Sequence, residues 1–450
     1  MKNNKNTLEP ISGFPEFSPE EQIIFNNCLR IIRDTYERFG FVPIETPSVE
    51  RVDTLTSKGG DEKEIYGLHR LSAEDADEYD ANLALHFDLT VPLARYVAQR
   101  YGQLTFPFRR YQLQKVWRGE RSQSGRYKEF MQCDIDVIGN DTLSLAHDAE
   151  IPSIIYEAFS KLNIGKFVIR INNRKILQGF FEHIGLEGND KVVALRAVDK
   201  LEKNGRNSVK KELTQIGLSN NKAFSLIDFV ETDLETDDLL KKISSVNYGK
   251  LFATGVQELS TVIAGIRALS VPEDFFKVDL SIARGLDYYT GTIYETVLTD
   301  HPGIGSICSG GRYENLSQHF SDKKLPGVGI SIGLTRLVPR LLSAGVLTAE
   351  KKTVAPVLIT TMQQESLTEY LHMATSLRDA GINTEVYLEP KNFKKQMKYA
   401  NRKGFSLVVI AGENEFLQGV IRIKNLETGE QIDIPESELV TSVQQYLHQR

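Results

Sequence analysis

The sequence predicts an α+β protein, and three observations carry that reading. Residues 108–118 and 127–139 are two long strand-like runs facing each other across a polar loop, the pattern of an antiparallel pair. Residues 173–272 are polar, lysine-rich and helix-prone, unlike their flanks, and read as an inserted helical module. Beyond residue 347 short strands and helices alternate with brief connections, the texture of a small mixed α/β domain over residues 350–450.

The remaining elements follow from local pattern. Residues 20–39 read as a helix, because Ile23, Ile24, Cys28, Ile31, Ile32, Thr35 and Phe39 recur at three-and-four spacing and Gly40 is placed to end it. A short strand at 41–45 stops before Pro47. The polar passage 57–80 carries the acidic cluster Glu74, Asp75, Asp77 and Glu78, which reads as a solvated loop rather than a metal site. Thr90 begins a helix at 91–101 with Pro92 in its first turn. Residues 143–162 are helical by periodicity, strands resume over 276–298, and the glycine-rich strand 327–333 runs into a helix near Thr335. In the last domain, strands at 354–361, 383–388 and 405–411 alternate with helices at 365–380 and 393–403. A hairpin at 419–434 and a helix at 436–447 close the chain.

The chain has 450 residues, 41% apolar and 25% charged, ordinary for a globular protein of two or three domains. Its net charge of −6 means that bulk charge does not hold nucleic acid, so any RNA partner must meet local basic faces. Cys28, Cys133 and Cys308 are scattered, which argues against a disulfide framework or structural zinc and fits a reducing compartment. The first residues are polar and lead into Pro10, Gly13 and Pro15 without the apolar core of a signal peptide, and no apolar run reaches membrane-spanning length. A cytoplasmic protein is expected. None of the eight histidines stands at metal-ligand spacing; His86, His147 and His301 read as structural or surface residues, and no tightly held metal is expected.

Three stretches carry chemistry. Residues 282–296 place Arg284, Gly285 and the phenols Tyr288 and Tyr289 at the mouth of a strand, suited to a small substrate with an anionic end and a nitrogen-bearing end. In the strand after the polar loop, alternation puts Met131, Cys133, Ile135 and Val137 on one face and Phe130, Gln132, Asp134 and Asp136 on the other. A solvated antiparallel face would account for the polar set alone. However, Arg118, Glu120, Arg121 and Arg126 crowd the same strand–loop–strand unit, and such a cluster is costly unless a polyanion occupies it. Repeated glycine in 327–333 weakens a strand, and close approach of a flat ligand to the backbone is one reason for it. The strand leads to Arg336 in a first helical turn, where the helix dipole disfavours a cation and implies a partner. No Gly-x-x-x-x-Gly-Lys-Ser/Thr loop and no strand–GxGxxG–helix unit is present.

Taken in order, Pro47 after a helix and strand, the Arg118…Arg126…Phe130 hairpin and the strand ending in Arg336 resemble the three motifs of class II aminoacyl-tRNA synthetases. The blocks Arg284-Gly285-Leu286-Asp287-Tyr288-Tyr289 and Ser309-Gly310-Gly311-Arg312-Tyr313 are similar to the two blocks peculiar to the histidyl-tRNA synthetase family, and the C-terminal segment resembles its anticodon-binding domain. The resemblance implies a class II catalytic core, an antiparallel sheet flanked by helices, in two parts (1–172 and 273–347) around the insertion. It also implies histidine activation with ATP, release of pyrophosphate, and transfer to tRNA-His by a homodimer formed through the Pro47 region. Mg²⁺ would accompany ATP.

Carried onto this sequence, the resemblance makes Arg118 the bridge between the ATP α-phosphate and the histidine carboxylate, with Arg284 over the same phosphate. Glu120 and Arg126 would hold the bent triphosphate and adenine between Phe130 and Arg336. Asp88, Thr90 and Gln132 would receive the substrate ammonium, in an Asp-Leu-Thr variant similar to eukaryote-type enzymes, and Asp136 and Tyr289 the two imidazole nitrogens, supported by Tyr288. Arg121 and Gln123 at the hairpin tip would meet the tRNA acceptor end. Lys394, Lys395 and Lys398, part of a basic helical face that is otherwise simply solvated, would meet RNA phosphates, with Phe393, Tyr399 and Phe416 available to stack on bases. The contrasting reading is a regulatory paralogue, either a catalytically inert histidine-binding subunit like that of ATP phosphoribosyltransferase or a tRNA sensor. Such relatives typically lose the C-terminal domain or the arginines that are present here.

Overall fold

The computed structural model describes residues 8–57, 64–69, 82–120, 125–283, 289–315 and 317–448. The chain divides into two compact units, Met1–Pro15 with Cys28–Leu347 and Glu16–Asn27 with Thr348–Arg450.

In chain order, helix α1 (Pro19–Arg38) leads to β1 (Val42–Pro43), β2 (Val49–Arg51), α2 (Val52–Thr56), β3 (Leu83–Leu85) and α3 (Thr90–Arg100). Then come β4 (Phe108–Trp117), β5 (Glu129–Ile138), α4 (Ala146–Leu162) and β6 (Phe167–Asn173). A run of helices from α5 (Arg174–His183) to α11 (Lys250–Ala268) precedes β7 (Phe276–Val278), β8 (Thr292–Leu298), β9 (Ser306–Tyr313), β10 (Gly327–Gly333) and α12 (Leu334–Ser343).

Among the described residues, eight of these strands form one sheet in the order β1-β4-β5-β10-β9-β8-β6-β7. Its inner pairs are antiparallel, but the outer pairs β1/β4 and β6/β7 are parallel, unlike the antiparallel sheet expected. The connections explain the difference. Each outer pair is joined by a long crossover, through α3 in one case and the inserted helices in the other, and only a crossover can return a strand in the same direction.

The two faces of β5 separate as the alternation predicts. Cys133, Ile135 and Val137 are fully buried, and Tyr36 of α1 donates from its hydroxyl to the carbonyl of Cys133 at 3.0 Å. On the same side Arg312 of β9 meets Asp148 of α4 at 2.5 Å. Gln132, Asp134 and Asp136 take the opposite face. In the inserted helices, a Cβ on Gly179 would stand 2.5 Å from the backbone of Phe252, so glycine permits the close crossing of α5 and α11. Phe180 and Phe229 stack there at 4.2 Å.

The strands expected over 276–298 are β7 and β8, and the chain leaves the ladder after β7. After β7, Asp279 captures the backbone N–H of Ser281 at 3.0 Å, a local turn that competes with the ladder. The buried side chains Asn172 and Arg174 hold the segment that follows, with donations to Leu280 O (3.2 Å), Ile282 O (3.1 Å) and Ala283 O (2.5 Å).

The second unit carries β11 (Val357–Ile359), α13 (Leu367–Asp379), β12 (Thr384–Val386), α14 (Phe393–Lys403), β13 (Leu407–Ile410), α15 (Glu413–Gln418), β14 (Val420–Asn425), β15 (Gln431–Pro435) and α16 (Leu439–His448). Among the described residues its sheet has five strands, ordered β12-β11-β13-β14-β15, with three parallel strands followed by an antiparallel hairpin. Helix α15 escapes sequence periodicity because it is only six residues long; Glu415 starts it by accepting from the N–H of Gly412 at 3.0 Å. Among the described residues, no helix is long and apolar enough to cross a membrane.

Candidate active site

The polar face of β5 is the floor of the site. Register places Gln114, Gln112 and Arg110 of β4 opposite Gln132, Asp134 and Asp136, and Gly333, Ser331 and Gly329 of β10 on their other side. Every one of these side chains lies on the same face because the pleat has a period of two.

Asp136 is held from both ends. Arg110 Nη2, on a fully buried side chain, stands 2.5 Å from Oδ2, and the Tyr313 hydroxyl donates to Oδ1 at 2.9 Å. Tyr289 packs against the apolar cluster that contains Tyr313, with its ring edge over Gly311. Two of the three β10 glycines on this face make room for protein side chains rather than for a flat ligand as expected. A Cβ on Gly327 would lie 2.3 Å from the Tyr313 ring, and one on Gly329 would lie 2.3 Å from Asp136 Oδ1. Only at Gly333 is the space open, with nothing within 4 Å.

Further along, Gln132 Nε2 donates to Ser331 Oγ at 2.8 Å and approaches Asp134 Oδ1 at 3.4 Å. Burial pushes the Asp134 carboxyl up to about 7, with Asp136 and Asp88 adding to the effect and Arg110 and the Ser331 hydroxyl opposing it. Asp88 accepts the Val91 N–H at 3.0 Å and so anchors the first turn of α3, which begins at Thr90.

Arg118 lies at the end of β4, where its Nε–H donates to Phe87 O at 3.0 Å and its guanidinium stands 5.1 Å from the Phe130 ring centroid. His86, fully buried, donates or accepts through Nε2 at Lys115 O (2.7 Å) and stacks on Trp117 at 5.6 Å. Burial holds its pKa below the ordinary imidazole range. The segment carrying Asp88 is thereby fixed to the strand carrying Arg118. Glu120 and Arg126, both expected at the nucleotide, pair with each other at 3.3 Å. Arg336 donates from Nη2 to Ile304 O at 3.1 Å, and Arg340 reaches the same turn at Gly303 O and Ile304 O, both 2.8 Å.

Arg284, Tyr288, Arg121 and Gln123 lie outside the described residues, as does most of the acidic passage before residue 82. In the second unit Lys394, Lys395 and Lys398 are exposed on α14, with Gln396 and Ala400 turned inward. Tyr399 bonds Glu385 through its hydroxyl, and Phe416 packs on Tyr370 at 5.4 Å, so both rings serve the domain core.

Sequence reasoning missed Arg110, Tyr313 and Ser331 as site residues. The signal was present for Arg110, since Arg110, Gln112 and Gln114 alternate in step with the polar residues of the facing strand. Tyr313 and Ser331 become legible only when β9 and β10 are placed beside β5.

The sequence model described as histidyl-tRNA synthetase matches residues 13–337, and that described as an anticodon binding domain matches residues 353–446. The chain belongs to the histidyl-tRNA synthetase family. A curated relative from Stenotrophomonas maltophilia (strain K279a), named Histidine--tRNA ligase, is 46% identical over 97% of each chain. The crystal structure of histidyl-tRNA synthetase from Nostoc sp. PCC 7120 superposes with a TM-score of 0.91 at 44% identity, covering 98% of this chain and 100% of that one. A Bacillus halodurans structure described as an ATP phosphoribosyltransferase regulatory subunit/histidyl-tRNA synthetase has a TM-score of 0.72 over 87% of this chain and 96% of that one. At 19% identity that likeness is one of fold alone. The eight-stranded sheet with its flanking helices and the separate C-terminal sheet are thus the class II catalytic core and anticodon-binding domain of this family.

Proposed function

We propose that the chain is an ATP-dependent histidine–tRNA ligase: it joins L-histidine to ATP as histidyl-adenylate, releases pyrophosphate, and transfers histidine to the 3′ end of tRNA-His. The observation that carries this reading is the doubly held Asp136 on the site floor, within a chain that matches a histidine–tRNA ligase along nearly its whole length. A neutral imidazole offers one N–H and one lone pair. A carboxylate such as Asp136 has about four lone-pair sites for acceptance, and the Tyr289 phenol can donate or accept. An analogue lacking either ring nitrogen would leave a buried polar group unpaired, which supports discrimination on the order of ten thousand without an editing site.

Activation needs no protein base, because the histidine carboxylate is already the nucleophile that attacks the α-phosphorus. The protein aligns the reactants and neutralises charge in the transition state, work suited to Arg118 and Arg284. Asp88, Thr90 and Gln132 take the ammonium, with Tyr288 behind the ring. Glu120, Arg126, Phe130 and Arg336 hold the nucleotide; the present Glu120–Arg126 pair is exposed enough to be exchanged for phosphate at little cost. Mg²⁺ enters as the counter-ion of ATP. Among the described residues no three acidic, imidazole or thiol groups converge to hold a metal.

In the same reading residues 1–172 and 273–347 form the catalytic core around a helical insertion at 173–272, and residues 350–450 bind the anticodon through the exposed lysines of α14. Arg121 and Gln123 meet the acceptor end. The enzyme works in the cytoplasm as a homodimer formed through the Pro47 region.

Histidine-dependent exchange of labelled pyrophosphate into ATP tests the proposal. Exchange with histidine alone among the amino acids is the expected result, and Arg284→Ala should lose exchange far more than histidine binding. Exchange with no amino acid would overturn the ligase reading in favour of an inert paralogue.

A further inference from the structure

The site floor holds one carboxylate to which the proposed mechanism gives no role. Asp134 lies between Gln132 and Asp136 on the same face and is only 4% exposed. Arg110 is engaged with Asp136, and among the described residues no cation stands within ion-pair distance of Asp134. Its contacts are the Gln132 amide at 3.4 Å and the Ser331 hydroxyl. The neighbouring amide shows a complementary gap. Gln132 is 7% exposed, and its Oε1 is buried without a hydrogen-bond partner among the described residues. The amide orientation is set by its Nε2, which faces a carboxylate that accepts hydrogen bonds when ionised.

A buried carboxylate whose facing cation is already paired with Asp136, beside a buried carbonyl lacking a donor, is a pair that a primary ammonium satisfies at once. Such a group has three N–H donors. Asp88 lies near enough to Asp134 to influence it electrostatically and offers the third acceptor. We propose that Asp134 is a second counter-charge for the substrate ammonium, acting with Gln132 and Asp88 in the histidine site. This inference rests on the ligase reading and deepens it.

Among the described residues, the charged or titratable groups that face Asp134 are Arg110 on β4, Asp136 on β5 and Asp88 before α3, and β10 contributes the Ser331 hydroxyl. Behind the sheet Tyr36, Cys133 and Cys308 are neutral, their pKa values raised by burial. Before substrate binds, the Asp134 carboxyl is therefore about half protonated near neutrality. The arriving ammonium expels that proton to solvent as it forms its charged contact, so histidine affinity rises with pH through this range.

Calorimetric titration tests the proposal on the full chain at pH 7, in two buffers of different ionisation enthalpy, with histidine and with imidazolelactate, which has a hydroxyl in place of the ammonium. The unaltered chain should release about half a proton more per histidine bound than Asp134→Asn does. The variant should bind histidine at least tenfold more weakly and imidazolelactate within about twofold of the original. Should the variant fail to fold, the unaltered chain still decides. Between pH 6 and 8 its affinity for histidine should improve about tenfold relative to imidazolelactate. Equal weakening of both ligands, or parallel pH profiles for the two, would overturn the inference and leave Asp134 a structural residue. Absence of histidine binding to the unaltered chain would instead overturn the ligase reading beneath it.

Discussion

The hydroxyl of Tyr313 donates to Oδ1 of Asp136 at 2.9 Å, joining β9 to β5 across the intervening strand β10. Because both groups are buried, neither has water as an alternative partner. Tyr313→Phe should cost about 1–3 kcal/mol of stability, and it should raise the KM for histidine in pyrophosphate exchange more than the KM for ATP. Thermal denaturation and exchange kinetics check the two effects separately. A variant with unchanged KM values for both substrates would remove Asp136 from the imidazole site.

Arg110 and Asp136 should behave as one unit. Arg110→Met leaves a buried carboxylate without its guanidinium, and Asp136→Asn leaves a buried guanidinium without its carboxylate; each should destabilise by about 3–5 kcal/mol. The double variant should be markedly less damaged than the sum of the two. Chemical denaturation of all four proteins gives the coupling, and simple additivity would show that the 2.5 Å contact carries no special energy.

Glycines at two ends of β10 should respond differently. Gly329→Ala drives a methyl group to within 2.3 Å of Asp136 Oδ1 and should disturb histidine binding together with stability. Gly333→Ala meets nothing within 4 Å and should fold as the parent does. Melting temperatures of the two variants make the comparison.

Stability should also depend on pH through Asp134. Its folded-state pKa, about 7, lies above the ordinary value of 3.8. The raised value means that its contribution to stability is fully present below the unfolded pKa and is lost as pH rises towards 7. Asp134→Asn should therefore flatten the decline between about pH 4 and 7, measured by urea denaturation at several pH values. Identical slopes in the two proteins would contradict the assignment.

Replacing Lys394, Lys395 and Lys398 by glutamate should leave pyrophosphate exchange intact while slowing tRNA charging. Loss of up to three phosphate contacts should also reduce the dependence of tRNA affinity on the logarithm of salt concentration by about 0.7–0.9 per contact. Filter binding across a salt series reads this directly. Unchanged charging would assign the face to solvent.

Much of this architecture was legible because local signals agreed with the final fold. The alternation along β5 separated Gln132, Asp134 and Asp136 from Cys133, Ile135 and Val137, and α14 began and ended where its residues indicated. What stayed hidden depended on partners distant in sequence. Tyr313 is 177 positions from Asp136, and no local pattern announces their bond. The same holds for Gly327 and Gly329, whose missing side chains admit Tyr313 and Asp136 rather than an incoming ring. The break after β7 arises from the Asp279 side chain competing for backbone hydrogen bonds, a choice that apolar spacing does not record.

The glycine at position 329 also bears on attempts to redirect this pocket to another amino acid. The volume above it is already occupied by the Asp136 carboxylate, which is in turn gripped by Arg110 and Tyr313. A designer who alters residue 136 alone inherits a buried guanidinium and a buried phenol that have each lost their carboxylate. New specificity at this spot would have to be drawn on four strands simultaneously.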